Sequence, residues 1–194
     1  MSETLIFGPP GCGKTHTLIN VVRDALRKGT PPDKIGFVSF SRKSVEEARA
    51  RVAAELNLTE EDTPWFRTLH STGFQWLGFK KEQVLSRYDY NNIGEEVGMI
   101  FDNSTARNSQ DGLISISARE GNKYLEIIQR SRMRCISLEQ QFNDTADYNL
   151  HWNLLKKLNK VYSHFKKEND KVDFTDMISG FVEQESSPLL DLLI

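Results

Sequence analysis

Apolar residues along the first part of the chain predict strands and helices in alternation. The short run Thr4–Phe7 predicts a strand, and Thr17–Lys28 has apolar residues at helical spacing. Lys34–Phe40 is rich in β-branched and aromatic residues, which favours a second, buried strand. A helix is predicted from Ser44, as the N-cap of an S-x-x-E capping box, to about Leu56. This series predicts a parallel sheet with right-handed crossovers.

Three more elements of the same character lie further along the chain. Trp65–His70 is predicted to be a third strand that runs into a loop. Asp173–Glu185 is predicted to be a helix, and Pro188–Ile194 a strand. Because strands and helices continue to alternate, these elements are assigned to the same α/β domain.

The segment between them has a different pattern. Residues 79–171 are polar, contain few β-branched runs, and include helix-length stretches such as Lys123–Cys135 and Asn149–Lys167. A helical subdomain inserted into the α/β domain explains this pattern better than a continuing sheet does. We therefore predict a discontinuous α/β domain, residues 1–78 and 172–194, with an inserted helical subdomain at 79–171.

Composition excludes several classes of protein. The mean hydropathy is −0.50, and no run approaches the roughly 18 apolar residues of a membrane-spanning helix. The N-terminal sequence MSETLIFG has no secretory pattern, so a soluble, cytoplasmic protein is expected. Cys12 and Cys135 are too few and too far apart to predict a disulfide framework or a zinc site. The net charge of −2 does not by itself indicate a nucleic-acid partner.

One stretch matches a complete phosphate-binding pattern. Gly8–Thr15 reads GPPGCGKT, which fits G-x-x-x-x-G-K-[ST] between a predicted strand and a predicted helix. The glycines let backbone N–H groups face a phosphate, Lys14 reaches the β- and γ-phosphates, and the Thr15 hydroxyl can ligate Mg²⁺. The simpler alternative is a glycine-rich turn that only begins a helix. The predicted residues for ATP are Gly8, Pro9, Pro10, Gly11, Cys12, Gly13, Lys14, Thr15 and His16, with Lys14 and Thr15 also catalytic and Thr15 the Mg²⁺ ligand.

Three downstream segments narrow the choice among kinases, GTPases, ATPases and motors. Phe37–Ala48 (FVSFSRKSVEEA) resembles motif Ia of the UvrD/Rep-type superfamily 1 DNA helicases, and Phe66–Ser71 (FRTLHS) resembles their motif Ib. Val172–Ile178 (VDFTDMI) resembles the D-F-D-D-L-I that precedes motif II. With the phosphate loop, four motifs stand in the family's order. The resemblance implies a P-loop, RecA-like parallel sheet, domain 1A, with a helical 1B subdomain inserted into it.

The resemblance also implies a track for single-stranded DNA. In the family, motifs Ia and Ib line this track, so Phe40 would stack on a base while hydroxyls and cations meet phosphates. The alternative for Phe40 is core packing on a buried strand, and His70 taken alone is more typical of a structural histidine. The residues implied to contact DNA are Ser39, Phe40, Ser41, Arg42, Lys43, Thr68, His70 and Ser71.

By the same resemblance, further parts of a helicase are expected outside the 194 residues. In the family the last strand continues into the D-E-x-x of motif II, and a second domain supplies an arginine to the nucleotide. We therefore expect the N-terminal part of an ATP-dependent translocase, 3′ to 5′ in direction, with little hydrolysis of its own. Its expected partners are single-stranded DNA or a single/double-strand junction and the C-terminal helicase domains. A small P-loop kinase with the middle segment as its lid, or a nucleotide-gated binding module without turnover, are the alternatives.

Two local excesses of positive charge lie in the middle segment. Five basic and two acidic residues fall between Arg119 and Arg134, and six basic and two acidic residues between Lys156 and Lys171. Such an excess can contact a nucleic-acid backbone, but a solvated helix face is an equally good explanation.

Overall fold

The computed structural model describes residues 3–9, 11–101, 120–145, 147, 149–184 and 186–194, so Pro10 of the phosphate loop lies outside the described residues. The chain divides into two units, Met1–Thr72 with Ser186–Ile194, and Gly73–Glu185. The predicted boundaries, 78/79 and 171/172, differ from these by 6 and 14 residues, so the helix predicted at Asp173–Glu185 lies in the second unit and not with the sheet. The assignment of helicase subdomains stays a prediction. No helix in the described ranges is long and apolar enough to cross a membrane.

The first unit contains a parallel sheet of three strands in the order β2-β1-β3. The strands are β1 (Ile35–Ser39), β2 (Phe66–Thr68) and β3 (Leu192–Leu193). Phe37 pairs with Phe66 on one side of β1, and Ile35 pairs with Leu192 on the other. The predicted α/β class with a parallel sheet is therefore present.

Eight α-helices lie within the described residues. They are α1 (Lys14–Arg27), α2 (Arg42–Leu56), α3 (Leu69–Trp76), α4 (Arg87–Val97), α5 (Glu120–Met133), α6 (Leu138–Thr145), α7 (Trp152–Glu168) and α8 (Phe174–Glu183). Short 3-10 turns cover Pro32–Lys34 and Lys81–Gln83.

Each unit has its own apolar core. In the first unit α1 and α2 pack on the sheet through a cluster of fully or nearly fully buried residues: Ile19, Val22, Ile35, Phe37, Val45, Ala48, Val52 and Phe66. In the second unit α4, α5 and α7 enclose a larger cluster that includes Ile93, Tyr124, Ile128, Leu155, Leu158 and Tyr162. Helices placed on a parallel sheet shield its apolar residues from water, which is why β1 is buried along most of its length.

Three local predictions are wrong. Thr4–Phe7 is not a strand, because none of the three strands pairs with it, and Leu5 and Phe7 are exposed. The segment after β2 is the helix α3 rather than a loop. The N-cap of α2 is Ser41, whose side chain accepts a hydrogen bond from the backbone N–H of Ser44.

Candidate nucleotide and nucleic-acid site

Two glycines in the loop before α1 have backbone angles that allow the tight curl expected of a phosphate-binding loop. Gly11 (φ 80°) and Gly13 (φ 85°) both lie in the left-handed region that side chains disfavour. Gly13 is the N-cap of α1 and has no side chain with which to satisfy the first N–H groups of the helix. Those donors therefore face outward with the positive end of the helix dipole.

Gly8 is restricted by close approach rather than by its backbone angles. A Cβ at Gly8 would lie 2.4 Å from Cys12 Sγ, so a larger residue would require the Cys12 side chain to move. The Lys14 ammonium donates hydrogen bonds to the carbonyl oxygens of Gly8 (2.6 Å) and Pro9 (2.7 Å). The lysine thus holds its charge inside the loop, where a phosphate would take the place of the two carbonyls as its partner.

The other predicted residues of the loop are accessible. Thr15 is half-buried in the first turn of α1, while Cys12 and His16 are exposed. The Thr15 hydroxyl is a hard oxygen ligand of the kind Mg²⁺ takes together with nucleotide phosphates. Glycines with open N–H donors, a lysine and a hydroxyl at one helix start fit a Mg²⁺–triphosphate group.

Phe40 is the most informative residue of the second predicted segment. It follows β1 directly, and its side chain is 76% exposed. The core interpretation of Phe40 is therefore wrong. Arg42 and Lys43 begin α2 immediately after it and are exposed as well. An exposed aromatic ring and two nearby cations are the groups by which a groove binds single-stranded nucleic acid.

The sheet brings the two predicted DNA-contact segments together. β1 and β2 run parallel, and Ser39 at the end of β1 is paired with Thr68 at the end of β2. Neighbouring strands lie about 4.8 Å apart, so the residues after both strands share one edge of the sheet. Ligands of open α/β sheets bind at this carboxyl edge.

All four predicted hydroxyl groups are used as hydrogen-bond acceptors within the chain. Ser39 Oγ accepts from the Ser41 N–H (3.3 Å), Ser41 Oγ from the Ser44 N–H (3.2 Å), Thr68 Oγ1 from the Ser71 N–H (3.3 Å), and Ser71 Oγ from Arg67 Nη1 (3.2 Å). A hydroxyl that already accepts keeps its own hydrogen for an outside acceptor. The edge therefore presents donors, which suit phosphate oxygens.

His70 is half-buried, as Thr68 and Ser71 beside it are. Burial lowers the pKa of its imidazole, because the charged form loses hydration. This favours a neutral histidine at the start of α3 and leaves its predicted DNA contact a prediction.

The segment that resembles the approach to motif II forms a buried ion cluster in the second unit. Asp173 is 2% exposed and accepts hydrogen bonds from Tyr162 Oη (2.8 Å), Lys166 Nζ (2.7 Å) and Arg132 Nη1 (2.9 Å). Burial alone would raise the pKa of Asp173, but Lys166 and Arg132 outweigh it and hold the pKa below its usual value. Asp176 is bound by the same two cations. Apart from the D-x-x-D spacing of a capping box, no sequence pattern indicates this cluster.

Most of the predicted basic excess is neutralised inside the second unit. Ion pairs join Lys123 to Asp147, Arg130 to Glu126, Arg132 to Asp173, Arg134 to Asp144, Lys166 to Asp173 and Lys171 to Asp89. Lys156, Lys160 and Lys167 are exposed on α7 and have no ion pair with the described residues. Within the described residues of the two charge runs, Lys157 also lacks an ion pair but donates to the Val97 carbonyl oxygen (3.3 Å), and Arg119 lies outside the described residues.

Comparison with known proteins identifies one family. A family model described as the UvrD/REP helicase N-terminal domain matches residues 1–192. No curated protein sequence matches the chain. The match covers nearly all of the 194 residues, and it confirms the resemblance drawn from the four motifs.

Proposed function

We propose that the chain, which belongs to the UvrD/REP helicase family, is the N-terminal part of a DNA helicase. This part would bind ATP and single-stranded DNA. The observation that carries this proposal is the carboxyl edge of β1 and β2, where the exposed Phe40 stands beside hydroxyl donors. A RecA-like arrangement, with 79–171 as the inserted subdomain and translocation from 3′ to 5′, completes the proposal by family analogy. The kinase alternative gives no reason for an exposed ring at this edge.

The phosphate loop is the proposed nucleotide site. Bound ATP with Mg²⁺ would supply the free energy of translocation. The chain would bind the phosphates through the N–H groups at the start of α1, with Lys14 turning from the carbonyls of Gly8 and Pro9 to the β- and γ-phosphates. Thr15 would hold the metal through its hydroxyl, and the half-burial of Thr15 limits the positions that hydroxyl can take.

The carboxyl edge of β1 and β2 is the proposed track for single-stranded DNA. Phe40 would stack on a base, and this contact tolerates any sequence because every base has an aromatic face. Ser39, Ser41, Thr68 and Ser71 would donate to phosphate oxygens, and Arg42 and Lys43 would add charge. The track therefore binds a strand without selecting its sequence.

We also infer that these 194 residues hydrolyse ATP slowly. Hydrolysis requires a held metal, an oriented water and positive charge at the γ-phosphate. Asp173 and Asp176 lie in the segment that resembles the one preceding motif II. Each is bound by Lys166 and Arg132, so neither carboxylate is free to hold a metal. Phosphate release by the wild-type chain is expected to stay near that of the Lys14→Ala variant.

A titration of a labelled single strand tests the proposed track. Fluorescence anisotropy with a fluorescein-labelled oligothymidine at low salt should show binding that weakens steeply as salt is added. Phe40→Ala should cost about 1–3 kcal/mol of binding free energy because the stacking platform is lost.

Tyr88→Ala is the matched control, because Tyr88 is also an exposed aromatic, 72% accessible, but lies on α4. The control should bind like wild type. Equal affinities for the wild type, the Phe40→Ala variant and the control would refute the track.

A further inference from the structure

Arg67 lies next to the proposed track, in β2 one residue before Thr68, yet neither the motifs nor the family match gives it a role. It lies on β2 between Phe66 and Thr68, and its side chain is half-buried. Its Nε donates to the carbonyl oxygen of Pro64 (2.6 Å), and its Nη1 donates to Ser71 Oγ (3.2 Å). One guanidinium therefore joins the turn before β2 to the first turn of α3.

Arg67 forms no ion pair with the residues that the structure describes. Glu60, an acid whose charge raises the pKa of Arg67, is itself ion-paired with Arg49. Burial lowers the pKa of Arg67, and the like charge of Arg49 lowers it further, although an arginine remains protonated at neutral pH. A cation withdrawn from water in this way gains from any acceptor that it can hold.

We propose that Arg67 is a positioning residue for DNA binding: it fixes the Ser71 hydroxyl as a hydrogen-bond donor to a backbone phosphate. The inference rests on the proposed track. Because Ser71 Oγ accepts from Arg67, its own hydrogen must point elsewhere, and a hydroxyl hydrogen-bonded to a cation is a stronger donor. Two of the five N–H groups of Arg67 donate to Pro64 and Ser71, so the chain itself holds the guanidinium, and we assign its effect on DNA to Ser71 rather than to a direct contact.

The same pattern continues to the neighbouring hydroxyl. The backbone N–H of Ser71 donates to Thr68 Oγ1 (3.3 Å), so Ser71 is held both at its backbone and at its side chain. The hydroxyl oxygens of Thr68 and Ser71 are therefore held in place at the start of α3, and each hydroxyl can donate its hydrogen. Two fixed donors fit the oxygens of a phosphate, which accepts hydrogen bonds and donates none.

Four variants test the role of Arg67 with the labelled oligothymidine as probe: Ser71→Ala, Arg67→Met, Arg67→Lys, and the Arg67→Met/Ser71→Ala double variant. Ser71→Ala should weaken binding about tenfold, as expected for a lost hydrogen bond to a charged group. Arg67→Met should cause a similar loss, and the double variant should be no more than about twofold weaker than Ser71→Ala. Non-additivity of this size shows that the two side chains act as a unit.

Arg67→Lys separates position from charge. A lysine keeps the charge but lacks the planar fork needed to hold Pro64 and Ser71 together, so its affinity should stay as low as that of Arg67→Met. Wild-type affinity in Arg67→Lys would overturn the proposal. A salt slope about 0.7 lower in Arg67→Met than in wild type would also overturn it, because it would show a direct phosphate contact.

Controls separate this result from loss of the fold and from failure of the track itself. Nucleotide affinity at Gly8–Thr15 should be unchanged in every variant, and if Arg67→Met does not fold, Ser71→Ala and Arg67→Lys still decide the question. If wild type binds no oligothymidine, or Phe40→Ala binds like wild type, the proposed track fails. If Phe40→Ala weakens binding but Arg67→Lys does not, only the role of Arg67 fails.

Discussion

At the scale of single residues, Lys14 decides whether the loop can hold a nucleotide. Its ammonium lies among carbonyl oxygens at hydrogen-bond distance, so the charge is already placed where phosphate oxygens would enter. We expect Lys14→Ala to lower ATP and ADP affinity at least tenfold, since hydrogen bonds to charged groups contribute about 1.5–3 kcal/mol each. Calorimetric titration of both proteins in the presence of Mg²⁺ measures the change.

Lys28→Ala is the matched control for this prediction. Lys28 is an exposed lysine at the opposite end of the same helix, where it forms the C-cap of α1. Its removal should leave nucleotide affinity unchanged. If Lys14→Ala and Lys28→Ala bind ATP equally well, the loop is not the nucleotide site.

Phe40 shows what residue-level reasoning could and could not settle. Its position after a buried strand is compatible with core packing and with an exposed platform, because a strand's period fixes which face a side chain takes but not where the sheet ends. The structure places it one residue beyond β1, where no element covers it within the described chain. Exposure of a large aromatic at a sheet edge then becomes the observation that supports binding.

At the scale of elements, the ion cluster at the start of α8 joins three helices of the second unit. Arg132 comes from α5, Lys166 from α7, and both meet Asp173, the N-cap of α8. We expect Asp173→Asn to lower the free energy of unfolding by about 3 kcal/mol, because Arg132 and Lys166 then share the single carboxylate of Asp176. Urea unfolding at neutral pH measures this difference.

The pH dependence of the same variant follows from the lowered pKa of Asp173. A carboxyl whose pKa falls on folding stabilises the protein above the pKa of the unfolded chain, here 3.8, and this stability is lost as the pH falls through the lower folded value. The difference between wild type and Asp173→Asn should therefore be full at pH 7 and shrink below about pH 4.

Asp144→Asn serves as the control for an exposed ion pair. Asp144 pairs with Arg134, and both side chains are about half exposed. Such pairs contribute about 0–1 kcal/mol, so its removal should change unfolding little. Equal effects of the two aspartate variants would show that burial does not strengthen the Asp173 cluster.

At the scale of the whole molecule, the two separate cores predict two separately stabilised units. Leu158 is fully buried in the core of the second unit, and Val52 is almost fully buried in the core of the first. Leu158→Ala should destabilise by about 2–5 kcal/mol through the cavity it leaves. Hydrogen exchange should then rise in α4, α5 and α7 while β1 and α1 keep their protection.

Val52→Ala is the reciprocal test of this division. It should raise exchange in α1, α2 and β1 and weaken nucleotide binding, while Leu158→Ala leaves nucleotide affinity as in wild type. A uniform rise in exchange in both variants would show one cooperative unit in place of two.

The sequence by itself determined the phosphate-loop motif, the parallel α/β pattern and the family. These depend on residues that are close along the chain: eight consecutive positions make the loop, and hydrophobic periodicity within one element predicts that element. For the same reason α1, α2, β1 and α8 lie within a few residues of their predicted positions. Residues that are close along the chain stay close in any fold, so patterns among them can be recognised from the sequence alone.

Only the tertiary structure decided which groups meet. Asp173 is bound by cations that lie 41 and 7 positions away in sequence, and no pattern along the chain selects them over other lysines and arginines. Thr4–Phe7 has the composition of a strand but no paired neighbour, because pairing is a property of two segments and not of one. The link from Arg67 to Ser71 likewise depends on the turn from strand to helix, which the sequence pattern predicts to be a loop. Contacts between distant residues depend on the path of the backbone, and that path follows from the packing of the whole unit.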